Sequence, residues 1–187
     1  MDAAIGMIEV EGVAGIIVAA DAACKTAEVE LLGWESIGGF TTVFFSGSIS
    51  DVGAALRQGE QAAREVVEHV VTAPLTRPQP DCRNYVTFPV DPEVEVHPGA
   101  LGLIETRGYG AHVPANDSMV KTAAVEVINV LTVHNRVVCS LIQGDVGAVR
   151  EALAVGRGLV ADSENFLCSA LIPQPVPEVL RAFGRTD

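Results

Sequence analysis

The sequence predicts an α+β chain, within the broad α/β class, built from two tandem β-α-β-β-α-β units. Three observations lead there: one internal repeat spanning most of the chain, the same alternation of strand and helix patterns in both copies, and a proline-dense stretch between them. The repeat is found by self-comparison. Ala4-Ile5-Gly6-Met7-Ile8-Glu9 returns as Ala100-Leu101-Gly102-Leu103-Ile104-Glu105, an offset of 96 residues. The same offset carries Gly12 to Gly108, Asp21 to Asp117, Lys25-Thr26-Ala27 to Lys121-Thr122-Ala123 and Val29-Glu30 to Val125-Glu126. Further on it becomes 97, pairing Gly47 with Gly144, Val52 with Val149, Leu56 with Leu153 and Gly59 with Gly156. One residue has therefore been gained or lost between about positions 33 and 46, which places the change in a loop between two strands.

Each copy opens with a short apolar run of strand length, 4–10 and 100–106. Helices are predicted next, near 14–27 and near 114–123. Ile17, Ala20 and Cys24 share a face of the first, and Val113, Asn116 and Val120 are their counterparts around the second. Pro114 is expected in the first turn, where its missing N–H costs little, so the second helix is expected to start later than the first. Two strands follow in each copy, 29–36 and 40–46, then 125–132 and 137–143. Phe40-Thr41-Thr42-Val43-Phe44-Phe45 and Val137-Val138-Cys139-Ser140-Leu141-Ile142 carry the β-branched and aromatic residues that suit a pleated surface. Gly47-Ser48 and Gly144-Asp145 supply a turn and an N-cap. The helices after them, 49–66 and 146–160, repeat apolar residues at i, i+3 and i+7. A last strand is expected near 68–73 and again near 166–172. The order is the ferredoxin-like one. Domains are expected at 1–75 and 99–187, joined by a linker over 76–98 whose prolines forbid a long helix.

Composition narrows the function. Asp and Glu number 24 against 12 Lys and Arg, a formal charge of −12. That balance repels phosphate backbones and argues against nucleic acid as a partner. No run of about 18 apolar residues suggests a membrane span. Met1-Asp2-Ala3-Ala4 lacks the basic start of a signal peptide, so a cytoplasmic location is expected. Cys24, Cys82, Cys139 and Cys168 form no metal-ligand spacing and read as buried thiols in a reducing compartment. His69, His97, His112 and His134 stand in no motif of defined mechanical role, and Glu9 and Glu105, one per strand, are explained by the shared fold. No catalytic residue, metal or cofactor is expected.

The ordered set Ala-Ile-Gly-Met-Ile-Glu, Asp-Ala-Ala-Cys-Lys-Thr-Ala-Glu-Val-Glu-Leu, a Gly-rich loop and Gly-Ser-Ile-Ser-Asp-Val resembles the bacterial microcompartment shell domain. Copy two matches through Gly144-Asp145-Val146-Gly147-Ala148-Val149, and Leu171-Ile172-Pro173-Gln174-Pro175 resembles the family's closing segment. Two fused copies are similar to the tandem-domain class, in unpermuted order. That resemblance implies a structural, non-enzymatic shell protein: a homotrimer forming a pseudohexameric tile, joined laterally to other shell proteins, with small metabolites passing through a central pore. It implies that Lys25 and Lys121 lie at the tile edge. A lysine at a helix C-terminus also complements the helix dipole whatever the tile does. Gln174 and Val176 stand where the closing motif often carries Arg and His.

The resemblance further implies that Ser36, Ile37, Gly38, Gly39 and Phe40, with His134, Asn135 and Arg136, line the pore. Gly-Gly and Asn equally suit an ordinary hairpin turn. His134 and Arg136 repeated about an axis would make a cationic constriction favouring anions, and His would make it pH-sensitive. Some tandem shell proteins hold an iron–sulfur cluster through loop cysteines; the loops here have none, and Cys139 falls in the following strand. The alternative from a different class is a small-molecule-binding regulator of duplicated ferredoxin-like fold, which oligomeric state distinguishes.

Overall fold

The computed structural model describes residues 3–78, 96 and 98–184. The first unit runs β1 (Ala4–Glu11), α1 (Ala14–Thr26), β2 (Val29–Ile37), β3 (Phe40–Gly47), α2 (Ile49–Arg64) and β4 (Val70–Leu75). The second repeats this as β5 (Ala100–Arg107), α3 (Tyr109–Thr122), β6 (Val125–Val133), β7 (Val137–Gly144), α4 (Val146–Val160) and β8 (Phe166–Ile172), and ends with a short helix, α5 (Pro177–Phe183). The sheets are ordered β2-β3-β1-β4 and β6-β7-β5-β8, and every adjacent pair is antiparallel. This is the ferredoxin-like topology in both units. Most of the linker expected over 76–98, with Cys82 and His97, lies outside the described residues.

The change of offset is visible in the strand register. Ile37 pairs with Phe40 across the two-residue loop Gly38-Gly39, whereas Val133 pairs with Val137 across the three residues His134-Asn135-Arg136. The extra residue therefore sits in the β6–β7 loop. Both β2 and β6 also carry a bulge at the same repeat position, between Leu31 and Gly33 and between Val127 and Asn129.

Each sheet has one face under its own helices. Gly6 faces Val52 and Leu56 of α2, and Gly102 faces Val149 of α4. Because strand side chains alternate, Ile5, Met7 and Glu9, and likewise Leu101, Leu103 and Glu105, project from the opposite face. Ser48 caps α2 by accepting from the Asp51 N–H at 3.1 Å.

One sequence expectation is corrected. The second helix does not begin near Pro114 but at Tyr109, behind Gly108 as N-cap. Pro114 then lies inside the helix, where it cannot donate to the carbonyl of Gly110 four residues earlier. Gly110 is exposed, with open space where a side chain would stand, so its carbonyl is free to be solvated. The left-handed turn at Gly108 (φ 77°) redirects the chain and sets the helix start.

Candidate tile interfaces and pore loops

The two halves pack asymmetrically. Ile17, Ala20 and Leu31 of the first half share one apolar cluster with Leu101, Leu103, Cys139, Leu141, Cys168 and Ile172 of the second. The α1/β2 face of the first half is thus covered by the helix-free face of the second sheet. Helix α5 extends this cover: Trp34 stacks on Phe183 at 5.4 Å between ring centroids, and its indole N–H donates to the Ala182 carbonyl at 3.0 Å. At the other end of α5 the Val176 N–H donates to Asp21 Oδ1 at 2.8 Å.

A carboxylate organises the centre of this contact. Glu105, 1% exposed, accepts from the Val13 and Ala14 N–H groups at 2.8 and 3.0 Å. These are amides at the start of α1, which has no side-chain cap of its own. A helix N-terminus holds unpaired N–H groups and partial positive charge, so a carboxylate is the complementary group. Burial raises the Glu105 pKa above its ordinary value, while the two amide bonds pull it back. Cys139 and Cys168 pair with Glu105 on either side across the sheet. Burial pushes both thiols well up, which makes them inert apolar packing groups. Gly12 (φ 82°) lies so close that a Cβ there would collide with Glu105 Oε1.

The repeat shows which faces this arrangement leaves open. Val13 and Ile17 are 0% exposed, but their counterparts Tyr109 and Val113 are 57% and 56% exposed. Val120, Val127 and Val130 are exposed on the same α3/β6 face, which forms an apolar groove of about 270 Å³. On the complementary side, Cys168 and Ile172 are buried, while their counterparts Val71 and Leu75 on the helix-free face of the first sheet are exposed. Each half thus lacks the cover that its counterpart has or gives within the chain.

The loops named as pore-lining come together. The Asn135 side-chain amide donates to the Gly38 carbonyl at 3.1 Å. Gly12 N–H donates to Gly39 O and Gly108 N–H to Arg136 O, at 2.9 and 2.6 Å, which ties each loop to the end of its own first strand. Ile37, Gly38, Phe40, His134, Asn135 and Arg136 are exposed, Gly39 is buried, Ser36 is half-buried, and Phe40 begins β3. Asn135 and Arg136 both have left-handed backbones, φ 64° and 65°, where copy one uses Gly38 and Gly39. The Arg136 guanidinium lies over Gly108, whose Cβ would stand 2.9 Å from Nη2. Lys25 and Lys121 each form an i,i+4 ion pair at 2.6 Å, with Asp21 and Asp117.

Sequence reasoning missed a buried trio in the second half. His112 is hydrogen-bonded through Nδ1 to Thr106 Oγ1 at 2.9 Å and through Nε2 to Ser140 Oγ at 2.8 Å. Thr106 also donates to the Gly108 carbonyl at 3.2 Å, so Nδ1 carries the proton and Ser140 donates to Nε2. Burial lowers the His112 pKa to about 4. The matching residues in copy one are Val10, Ile16 and Val43, all buried. That simultaneous apolar-to-polar exchange at aligned positions was the available signal.

Two copies of one domain are thus packed head to tail, with an exposed apolar face left on each half. The BMC-domain family model matches the chain twice, over residues 4–75 and 100–175, and the chain belongs to that family. The carboxysome assembly protein CcmO of Synechococcus elongatus is 30% identical over 185 residues, covering 95% of this chain and 67% of its own. The bacterial microcompartment shell protein PduA of Salmonella typhimurium is 45% identical over 78 residues, covering 39% of this chain and 83% of its own. A solved microcompartment protein from Desulfitobacterium hafniense DCB aligns over 97% of this chain and 99% of its own, at 25% identity and a TM-score of 0.44.

Proposed function

We propose that the protein is a structural, non-enzymatic component of a bacterial microcompartment shell in the cytoplasm. Three chains close into a pseudohexameric tile around a central pore, and tiles join laterally with one another and with other shell proteins. The observation that carries the ring is the pairing of used and unused faces. A heterologous contact of the kind made between the halves has one open surface at each end, and repeating it between chains closes a ring or runs on as a filament. Six equivalent halves from three chains bury every Tyr109/Val113 face against a Val71/Leu75 face.

In that ring the β2–β3 and β6–β7 loops line the constriction, with Ser36, Ile37, Gly38, Gly39 and Phe40 from one half and His134, Asn135 and Arg136 from the other. Small residues and backbone groups suit the crowding near an axis, and His134 at the rim adds a polar side chain. Small metabolites are the cargo this reading assigns. The names of the relatives, a carboxysome assembly protein and a microcompartment shell protein, support the same reading. Domain limits of 1–75 and 99–187 go with it.

Sedimentation equilibrium combined with electron microscopy tests the reading. A trimer that forms six-sided particles and sheets is the expected result. A monomer, or an open filament without closed rings, would reject it.

A further inference from the structure

We infer that Glu9 of one chain and Arg136 of the next form a charged latch across each trimer contact, with Glu9 seated on the N-terminus of helix α3. The inference rests on the trimeric reading and adds the residues that close it. Within the chain, the equivalent contact is already visible. Glu105 sits on the first amides of α1, Val13 and Ala14. The repeat carries Glu105 to Glu9 and those two amides to Tyr109 and Gly110.

Both halves of the second contact are present and apart. Helix α3, like α1, has no side-chain cap. Glu9 projects from the helix-free face of the first sheet, half-buried, and accepts from Thr42 Oγ1 at 3.0 Å. Thr42 and Val71 flank it across the sheet, as Cys139 and Cys168 flank Glu105. The surrounding apolar surfaces, Val71 and Leu75 around Glu9 and Tyr109 and Val113 around α3, are the exposed pair described above.

One difference between the two contacts decides the chemistry. Above Gly12 stands the Glu105 carboxylate; above the equivalent Gly108 stands the Arg136 guanidinium. A carboxylate brought to α3 by a second copy therefore meets a fixed cation as well as the helix amides. In the intrachain contact no guanidinium stands over the glycine, because Arg136 corresponds to Gly39; the cation there, Arg107, faces Glu11 Oε1 at 3.8 Å instead. Charge complementarity thus commits the occupant of the α3 face to the Glu9 face of another copy. It also explains an arginine held at φ 65°, a backbone conformation that glycine adopts without cost and a bulky residue does not. The side chain is kept for what it meets.

The test is a double-mutant cycle on trimer dissociation, read by sedimentation equilibrium over a dilution series of the full chain. Glu9→Ala and Arg136→Gly are each expected to raise the dissociation constant at least ~30-fold, Glu9→Ala the more because it also leaves the α3 amides unpaired, and the double variant little beyond Glu9→Ala, because the charge pair is already lost. Arg136→Gly carries a second readout. It places glycine at a left-handed position, so the thermal stability of the dissociated monomer is expected to rise while the trimer weakens. A purely local turn role would stabilise both. Wild-type trimers with variants that dissociate at the wild-type concentration, or with additive effects, would overturn the latch and leave the trimer standing. A wild-type chain that forms no trimer would instead overturn the underlying reading.

Discussion

Glu105 and His112 are both buried ionisable groups, yet they stabilise the fold in opposite pH regimes. Replacing Glu105 with Ala strands the Val13 and Ala14 amides in the contact between halves, which should cost about 2–3 kcal/mol in urea unfolding. Glu105→Gln keeps an acceptor and should cost less, because burial already disfavours the carboxylate charge. For His112 the folded value is about 4 against 6.5 for the free side chain. Between those values an unfolded chain takes up a proton that the folded chain refuses. Its contribution is therefore complete above pH 6.5 and lost progressively as the pH falls to 4. The Glu105 carboxyl, raised in the fold, contributes fully below its ordinary value and loses that share as the pH rises through its folded value. A variant carrying the copy-one residues, Thr106→Val with His112→Ile and Ser140→Val, retains Glu105 but lacks the histidine. Its unfolding free energy should fall less than the wild type's between pH 6.5 and 4. Parallel curves over that interval would show that His112 takes up its proton equally in the folded and the unfolded chain.

Repeat-equivalent elements need not respond alike to one substitution. Gly59 on α2 and Gly156 on α4 occupy the same position, where each helix crosses its neighbour. A Cβ at Gly59 would collide with Ile8 Cδ1 and stand 3.1 Å from the Ala19 carbonyl oxygen, which is helix backbone and cannot move alone. At Gly156 the nearest atom would be Met119 Sδ at 2.7 Å, at the flexible end of a side chain that repacks readily. Gly59→Ala should cost about 1–3 kcal/mol by overpacking, and Gly156→Ala clearly less. Thermal melts of the two variants make the comparison. The strands and the crossing helices were legible in the sequence because period-2 and helical patterns recur at one offset. The start of α3 was not, because Pro114 suggests a helix beginning while the deciding feature is the turn at Gly108. The chemistry between halves was hidden for a further reason. Glu9 and Glu105 look identical in sequence, and only the packing shows that one already holds a helix terminus and the other holds a threonine hydroxyl. Arg136 stood out by its charge in an acidic chain, but its position over Gly108 follows from a left-handed turn that residue type alone argues against.

For the whole molecule, association into rings and association of rings into sheets should be separable by mutation. The ring draws on the α3/β6 face and the Val71/Leu75 face, whereas Lys25 and Lys121 lie in the last turns of α1 and α3. Each lysine already has an i,i+4 partner, so reversing its charge sets two carboxylates side by side on one helix face. On an exposed helix that costs each protomer only ~0.5 kcal/mol. The burden falls unevenly: Asp21 is buried and also holds the Val176 amide at the start of α5, whereas Asp117 is exposed. Lys25→Asp should therefore lower the melting temperature more than Lys121→Asp does. With both replaced, sizing should still show trimers, and electron microscopy should show isolated particles in place of sheets. Sheets that persist in the double variant would remove these lysines from the tile edge without touching the ring, since neither lysine itself lines the α3/β6 groove.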